Sequence, residues 1–192
     1  MGNNESQTGG LCRRSVLFGV SSLLGSLSTQ GFAAAPAVLK GAGDYRSVNL
    51  VNNRTQEWVR TVYWVEGGYI PEAMDAINVL LRDWRADEVK QIDPATIDII
   101  SATHCLLDCD EPFEVVSGYR NPQTNALLRR RSRGVARNSY HVRGMATDLK
   151  LKTRSVRQVA RAAKSLDAGG VGVYSRSGFV HLDSGPVRSW GR

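Results

Sequence analysis

Hydrophobic and polar positions change period several times along the chain, and the changes mark out its elements. SVNLVN (47–52) and EWVRTVYWVE (57–66) are rich in β-branched and aromatic residues, and Asn53-Arg54-Thr55-Gln56 between them reads as the turn of a hairpin. From Pro71 the period lengthens. Ala73, Ile77, Leu80, Leu81 and Trp84 recur at helical spacing over PEAMDAINVLLRDWRAD (71–87), with proline in the first turn. Asp93-Pro94 caps a second helix running through Ile97, Ile100 and Leu107. FEVVSG (113–118) reads as a short buried strand, NALLRRRSR (125–133) as a helix and MATDLKL (145–151) as an alternating strand. SVRQVARAAKSLDAGG (155–170) is a helix with a Ser155 cap and a Gly169 stop, and VGVYS (171–175) and FVHLD (179–183) are strands around Ser177-Gly178. No internal repeat and no long linker interrupts this order, which predicts one α+β domain.

Upstream of these elements the pattern is of another kind. Arg13-Arg14 precedes VLFGVSSLLGSL (16–27), an apolar run diluted with serine and glycine, and small residues follow at Ala35 and Ala37. That is an export signal, and the paired arginines resemble the twin-arginine type, which passes through its own translocase, with an ordinary Sec signal as the alternative. The run is shorter than the roughly 20 apolar residues a permanent span needs, so no stable membrane span is expected once the signal is cleaved. Residues 1–37 are thus read as signal and 38–192 as the working domain, in a periplasmic or other extracytoplasmic compartment. Cys105 and Cys109 then form an even pair in an oxidising environment, which permits a disulfide; closing it at i, i+4 would require a break in the helix.

Composition adds one constraint. The 192 residues carry a formal charge of +7, and removing 1–37 takes two arginines and one glutamate, leaving +6. An anionic partner is implied. Between Arg120 and Thr147 there are seven arginines and no acid. Stacking aromatics are sparse there and the chain is exported, so nucleic acid is not the expected partner. A basic rim beside a site, or a solvated helix face, both account for the run.

Two of the three histidines stand beside carboxylates. His141 and Asp148 lie seven apart across a turn into a strand, while His181 and Asp183 are i and i+2 on a strand and share a face. Two histidines and one carboxylate with a fourth position open make the ligand set of a catalytic zinc. On spacing alone, histidines hydrogen-bonded within strands remain an equal reading. His104 is read as a structural helix histidine, and Ser139 as a neighbour of His141 with no base to activate it.

Taken in order, Ser117-Gly118-Tyr119-Arg120, Ser139-x-His141-x-x-Gly144-x-Ala146-x-Asp148, Phe179-Val180-His181-x-Asp183 and the closing Gly185-Pro186-Val187-Arg188-Ser189-Trp190 resemble the zinc D-Ala-D-Ala peptidases. That superfamily also holds lysostaphin-type endopeptidases and the hedgehog domain, and within it the chain is most similar to the YcbK-like murein endopeptidases. The resemblance implies a small antiparallel sheet packed against helices and carrying one Zn2+ ion held by His141, Asp148 and His181. It implies Arg120 as the clamp on a substrate carboxylate or carbonyl, and peptidoglycan as the substrate and partner. Several relatives carry a catalytic acid three residues before the last histidine, where this chain has Gly178. Asp183 is therefore expected as the general base, with an orienting role toward His181 as the alternative. A murein endopeptidase is the expected activity. A D,D- or L,D-carboxypeptidase and a non-catalytic zinc-containing wall-binding module are the alternatives, and the oligomeric state is left open.

Overall fold

The hairpin expected from the first two β-rich runs opens the fold. In the computed structural model, which describes residues 45–132 and 134–191, β1 (Tyr45–Asn52) and β2 (Glu57–Val65) pair antiparallel with Asn52 opposite Glu57. The expected signal, 1–37, lies outside the described residues. The chain continues with β3 (Gly68–Tyr69), α1 (Pro71–Leu80), α2 (Pro94–Leu107), β4 (Phe113–Ser117), α3 (Pro122–Arg131) and a 3-10 turn at Tyr140–Arg143. It closes with β5 (Ala146–Lys150), α4 (Val156–Ser165), β6 (Gly170–Tyr174), β7 (Phe179–Asp183) and β8 (Arg188–Gly191). Among the described residues no helix is long and apolar enough to cross a membrane.

All strands join one sheet in the order β3-β2-β1-β4-β5-β7-β6-β8. The expected single α+β domain is formed, and among the described residues its sheet extends to eight strands and is mixed, since β1 runs parallel to β4 and β6 parallel to β8. The first parallel pair is connected through α1 and α2, the kind of crossover that parallel strands require. The antiparallel expectation holds for β4-β5-β7-β6, the part that carries the candidate site.

Tertiary contacts also shorten the first helix, which the periodicity carries to residue 87 and the fold ends at Leu80. The carbonyl of Leu81 accepts from Tyr119 N–H at 2.7 Å. Buried Asp83 accepts from Arg85 N–H at 3.1 Å and from Asn121 N–H at 2.9 Å. A carboxylate that collects two loop amides holds the chain out of the helix more strongly than one further apolar contact holds it in. Gly118 makes the approach possible, since a Cβ there would lie 2.3 Å from the Leu81 oxygen. α3 starts at Pro122, three residues early, because Asn121 caps the Thr124 N–H at 2.7 Å. α4 keeps its expected start in a capping box between Ser155 and Gln158. Cys109 carries a free thiol, so no Cys105–Cys109 disulfide forms; α2 ends at Leu107, and Asp108 turns the chain through the left-handed region at φ 48°.

Strand alternation separates core from site. Val180 and Leu182 of β7 and Val171 and Val173 of β6 turn to the face covered by α2 and α4, joining Ile97, Ile100, Val159 and Ala163 in the core. Each such buried aliphatic side chain contributes roughly 1.5–3 kcal/mol. His181 and Asp183 point to the opposite face.

Candidate metal centre

The site is a row across the sheet. Register places Ser117 of β4 beside Asp148 of β5, Asp148 beside His181 of β7, His181 beside Gly172 of β6, and Gly172 beside Trp190 of β8. His141 joins the row from the 3-10 turn, which Ser139 opens by accepting the His141 N–H at 3.3 Å. His141 Nε2, His181 Nδ1 and Asp148 Oδ1 form a triangle with sides of 3.1, 2.9 and 3.3 Å. Donors bonded to zinc at about 2.0–2.1 Å in a tetrahedron lie roughly 3.3 Å apart, so the triangle suits a small divalent ion. Among the described residues it is the one group of histidine, cysteine and carboxylate side chains so arranged.

Protons give a second, independent indication. His141 Nδ1 donates to the carbonyl of Gly118 at 2.7 Å, which leaves Nε2 as a lone pair. His181 Nε2 lies 2.9 Å from Asp183 Oδ2 and donates to it, which leaves Nδ1 as a lone pair. With both histidines neutral, three acceptor atoms would face one another, a set suited to a cation; without one, a proton on His181 Nδ1 can bridge to Asp148 Oδ1 at 2.9 Å. Burial holds His141 below its ordinary pKa. Burial also pulls His181 down, but its hydrogen bonds to Asp148 and Asp183 outweigh that and raise it. Burial alone would push Asp148 up, yet the two imidazoles hold it well below the usual carboxylate range.

Each corner of the triangle is held from behind. Arg120 donates to the outer oxygen of Asp148 at 2.5 Å and from Nε to Ser117 Oγ at 2.7 Å, so the expected clamp residue lies at the site but is partly committed to a neighbouring carboxylate. Asp183 is fully buried, and both its oxygens are engaged. Arg188 grips it through two terminal nitrogens at 2.9 and 2.8 Å, and the Gly185 N–H adds a third bond at 2.9 Å. Against the upward push of burial, the bonds from His181, Arg188 and Gly185 bring Asp183 down to about 2.

Arg188 and Trp190 are the participants that reasoning from the sequence missed. They reach the site because β6 offers glycine beneath each. A Cβ at Gly170 would lie 2.3 Å from both Arg188 Nη1 and Asp183 Oδ2, and one at Gly172 would lie 2.6 Å from the Trp190 ring. The G-V-G spacing of β6 was the available signal, two glycines on one face of a strand marking close approach by a neighbour. Trp190 anchors its indole on Tyr174 Oη at 3.1 Å with its ring 5.3 Å from His181, and Arg188 lies 5.0 Å above Tyr140. These side chains, with His141 and Asp148, line a groove of about 330 Å³. His104 is elsewhere, bonded to the Glu111 carbonyl at 2.8 Å and packed on Phe113.

A His-Asp-His triangle, braced from behind and opening on a groove in an α+β sheet, is a candidate metal centre of the kind that hydrolytic enzymes use. The family described as peptidoglycan L,D-endopeptidase MepK matches residues 40–190, and this chain belongs to it. It is 42% identical over 145 residues to the peptidoglycan L,D-endopeptidase MepK of Escherichia coli K12, covering 76% of this chain and 80% of that protein. It is 34% identical over 176 residues to the probable peptidoglycan L,D-endopeptidase MepK of Haemophilus influenzae, covering 91% and 90% respectively.

Proposed function

We propose that this protein is a zinc-dependent peptidoglycan endopeptidase that cuts an L,D amide bond of cross-linked stem peptides. The observation that carries the reading is the triangle of ligand atoms of His141, Asp148 and His181, all within 3.3 Å of one another, set in a chain of the MepK family. Zinc there would supply Lewis acidity, polarising a scissile carbonyl and acidifying a water molecule. The protein's own part is positioning. Gly118 fixes the proton of His141 on Nδ1, Asp183 fixes that of His181 on Nε2, and Arg120 turns one oxygen of Asp148 inward by holding the other. Tyr140 and Trp190 wall the groove in which the peptide would lie. Arg120 also borders that groove, where the edge of its guanidinium not turned to Asp148 can take a peptide carboxylate.

Asp183 takes the orienting role that the sequence left open as its alternative. A fully buried carboxylate with a pKa of about 2, held bidentately by Arg188, is a weak proton acceptor. Residues 1–37 act as a twin-arginine signal that delivers the enzyme to the compartment holding its polymer; replacing both Arg13 and Arg14 by lysine should leave the protein in the cytoplasm. Incubating the zinc-loaded protein with purified muropeptide dimers and monomers tests the activity. Conversion of L,D-linked dimers to monomers, abolished by chelation, is expected. Shortening of monomers alone would show a carboxypeptidase, and no metal-dependent change would show a binding module.

A further inference from the structure

The sheet carries a second concavity, of about 350 Å³, between α4 and the strands β6 and β8. Its rim is Arg157, Arg161 and Lys164, and its floor is Ala160, Val173 and Gly191. Alternation places it back to back with the metal groove, because Val173 points away from the face on which Gly172 lies beneath Trp190. β8 is the shared rim, with Trp190 lining the groove and Gly191 the cavity.

The three cations recur at i, i+4 and i+7, one face of the helix over about 10 Å. All are exposed, none is paired with an acid among the described residues, and no acidic side chain lines the cavity. Helix stability accounts for Lys164, which stands in the last turn where the dipole favours a cation, but not for the two arginines. Arg157 stands in the first turn, where the helix dipole disfavours a cation and where α4 has no acid, and like charges a turn apart cost a few tenths of a kcal/mol each. The arginine run of α3 is different, since Arg129, Arg130 and Arg131 occupy the last turn, where the dipole favours them. The rest of α4 is tuned for stability, with its capping box and a buried face of Val159, Ala160 and Ala163. An uncompensated cationic stripe over a cavity points to an anion from outside the chain.

We propose that this cavity is a second, non-catalytic docking site for peptidoglycan, taking carboxylates of stem peptides while a neighbouring cross-link enters the metal groove. The proposal rests on the substrate class assigned above. A polymer with carboxylates repeated along its length fits three cations spread over about 10 Å, and the shared rim lets one polymer reach both faces. A lipid surface fits less well, because α4 exposes no large apolar side chain to enter it. Nucleic acid would need stacking aromatics, and none line the cavity.

The test is co-sedimentation of the full-length protein with purified sacculi at stepped salt, beside hydrolysis of soluble muropeptide dimers. Arg157→Gln/Arg161→Gln/Lys164→Gln should lose about five- to tenfold in sacculus affinity, the worth of three exposed charge contacts, and should show a flatter salt dependence. Its kcat/KM on soluble dimers should stay within about twofold, because no substituted residue touches the groove. Arg129→Gln/Arg130→Gln/Arg131→Gln, which removes the same charge, should keep most of the affinity, and Arg157→Lys/Arg161→Lys should behave as the unaltered protein. Unchanged sacculus binding by the first variant overturns the proposal, as does an equal loss in the α3 control or tighter binding to phosphatidylglycerol vesicles than to sacculi. If the unaltered protein leaves dimers uncut, the catalytic reading fails while the sedimentation result still decides the docking site.

Discussion

Asp98 and Asp148 are both buried carboxylates, and the fold treats them in opposite ways. Asp98, inside α2, receives a proton donor on every side: Arg46 at 3.2 Å, Tyr63 at 2.7 Å and Tyr69 at 2.7 Å. Asp148 receives Arg120 on its outer oxygen, while its inner oxygen faces the ring nitrogens of two histidines, of which only His181 Nδ1 can offer it a proton. The first cluster supplies a donor to each Asp98 oxygen, leaves Arg46 Nε without a partner, and pins α2 to β1, β2 and β3. The second converges three ligand atoms on one point and can hold a cation. Three converging ligand atoms that share at most one proton mark a place where a cation can bind. Burial and charge alone do not separate the two clusters; the count of available protons does.

The largest effect expected from breaking this contrast comes from removing one member of each cluster. His181→Ala should abolish stoichiometric zinc binding and reduce hydrolysis by at least about a thousandfold, while the zinc-free protein unfolds at nearly the unaltered urea concentration. Asp98→Ala strands Arg46 and should cost about 3–5 kcal/mol in urea unfolding with zinc stoichiometry unchanged. If folded Asp98→Ala protein fails to bind zinc, the two clusters are coupled and the contrast is lost.

Next in size is the brace behind the open cluster. Asp183→Asn should weaken zinc binding about 10–100-fold, as loss of a partner behind a histidine ligand does, and Arg188→Lys should follow it to a smaller extent because a single ammonium cannot grip both oxygens. Hydrolysis measured at saturating zinc should recover in both. A variant of Asp183 that binds zinc at full strength and hydrolyses nothing would return that residue to the role of proton acceptor.

Alkali should act on the closed cluster and leave the open one alone. Burial first, then the charge of Asp98 and the bond to it, raise Tyr63 above the ordinary tyrosine value of 10; burial and the bond to Asp98 raise Tyr69 likewise. A folded-state pKa raised above the unfolded value gives stability that is full below pH 10 and is lost as pH rises through the folded value. Tyr63 alone should therefore cost about 1.4 kcal/mol per pH unit above 10, and Tyr63→Phe should flatten that slope. Urea unfolding between pH 9 and 11 measures it, and an equal slope in both proteins would assign the alkaline loss to other groups.

The two clusters also differ in how far the sequence disclosed them. His141, Asp148, His181, Arg120 and Asp183 stand in ordered motifs, and strand alternation already put His181 and Asp183 on one face. The roles of Asp183 and Arg120 were less legible, because they depend on which neighbours occupy their oxygens and nitrogens, and Arg188 and Ser117 come from other strands. β8 escaped because GPVRSWG has no alternation; it is a strand because it pairs with β6, where Gly170 and Gly172 leave room for the Arg188 and Trp190 side chains. The parallel sense of β1 and β4 and the early end of α1 follow from contacts distant in sequence, Asp83 with Asn121 and Leu81 with Tyr119. The Asp98 cluster joins residues up to 52 positions apart that belong to no motif, and nothing in the local pattern could announce it.

The smallest expected effect lies at the edge of that closed cluster. Tyr69 comes from the two-residue strand β3 and is only half-buried, whereas Tyr63 is fully buried. Removing the Tyr69 hydroxyl takes one donor from Asp98 Oδ2, but water can reach the vacated position and replace it. Removing the Tyr63 hydroxyl leaves Oδ1 with the longer bond to Arg46 and no access for water. Tyr69→Phe should therefore cost about 1 kcal/mol, and Tyr63→Phe about 2–3 kcal/mol, in urea unfolding at pH 7. Equal costs would show that both hydroxyls are sealed from solvent, and the closed cluster would then be closed to water as well as complete in protons.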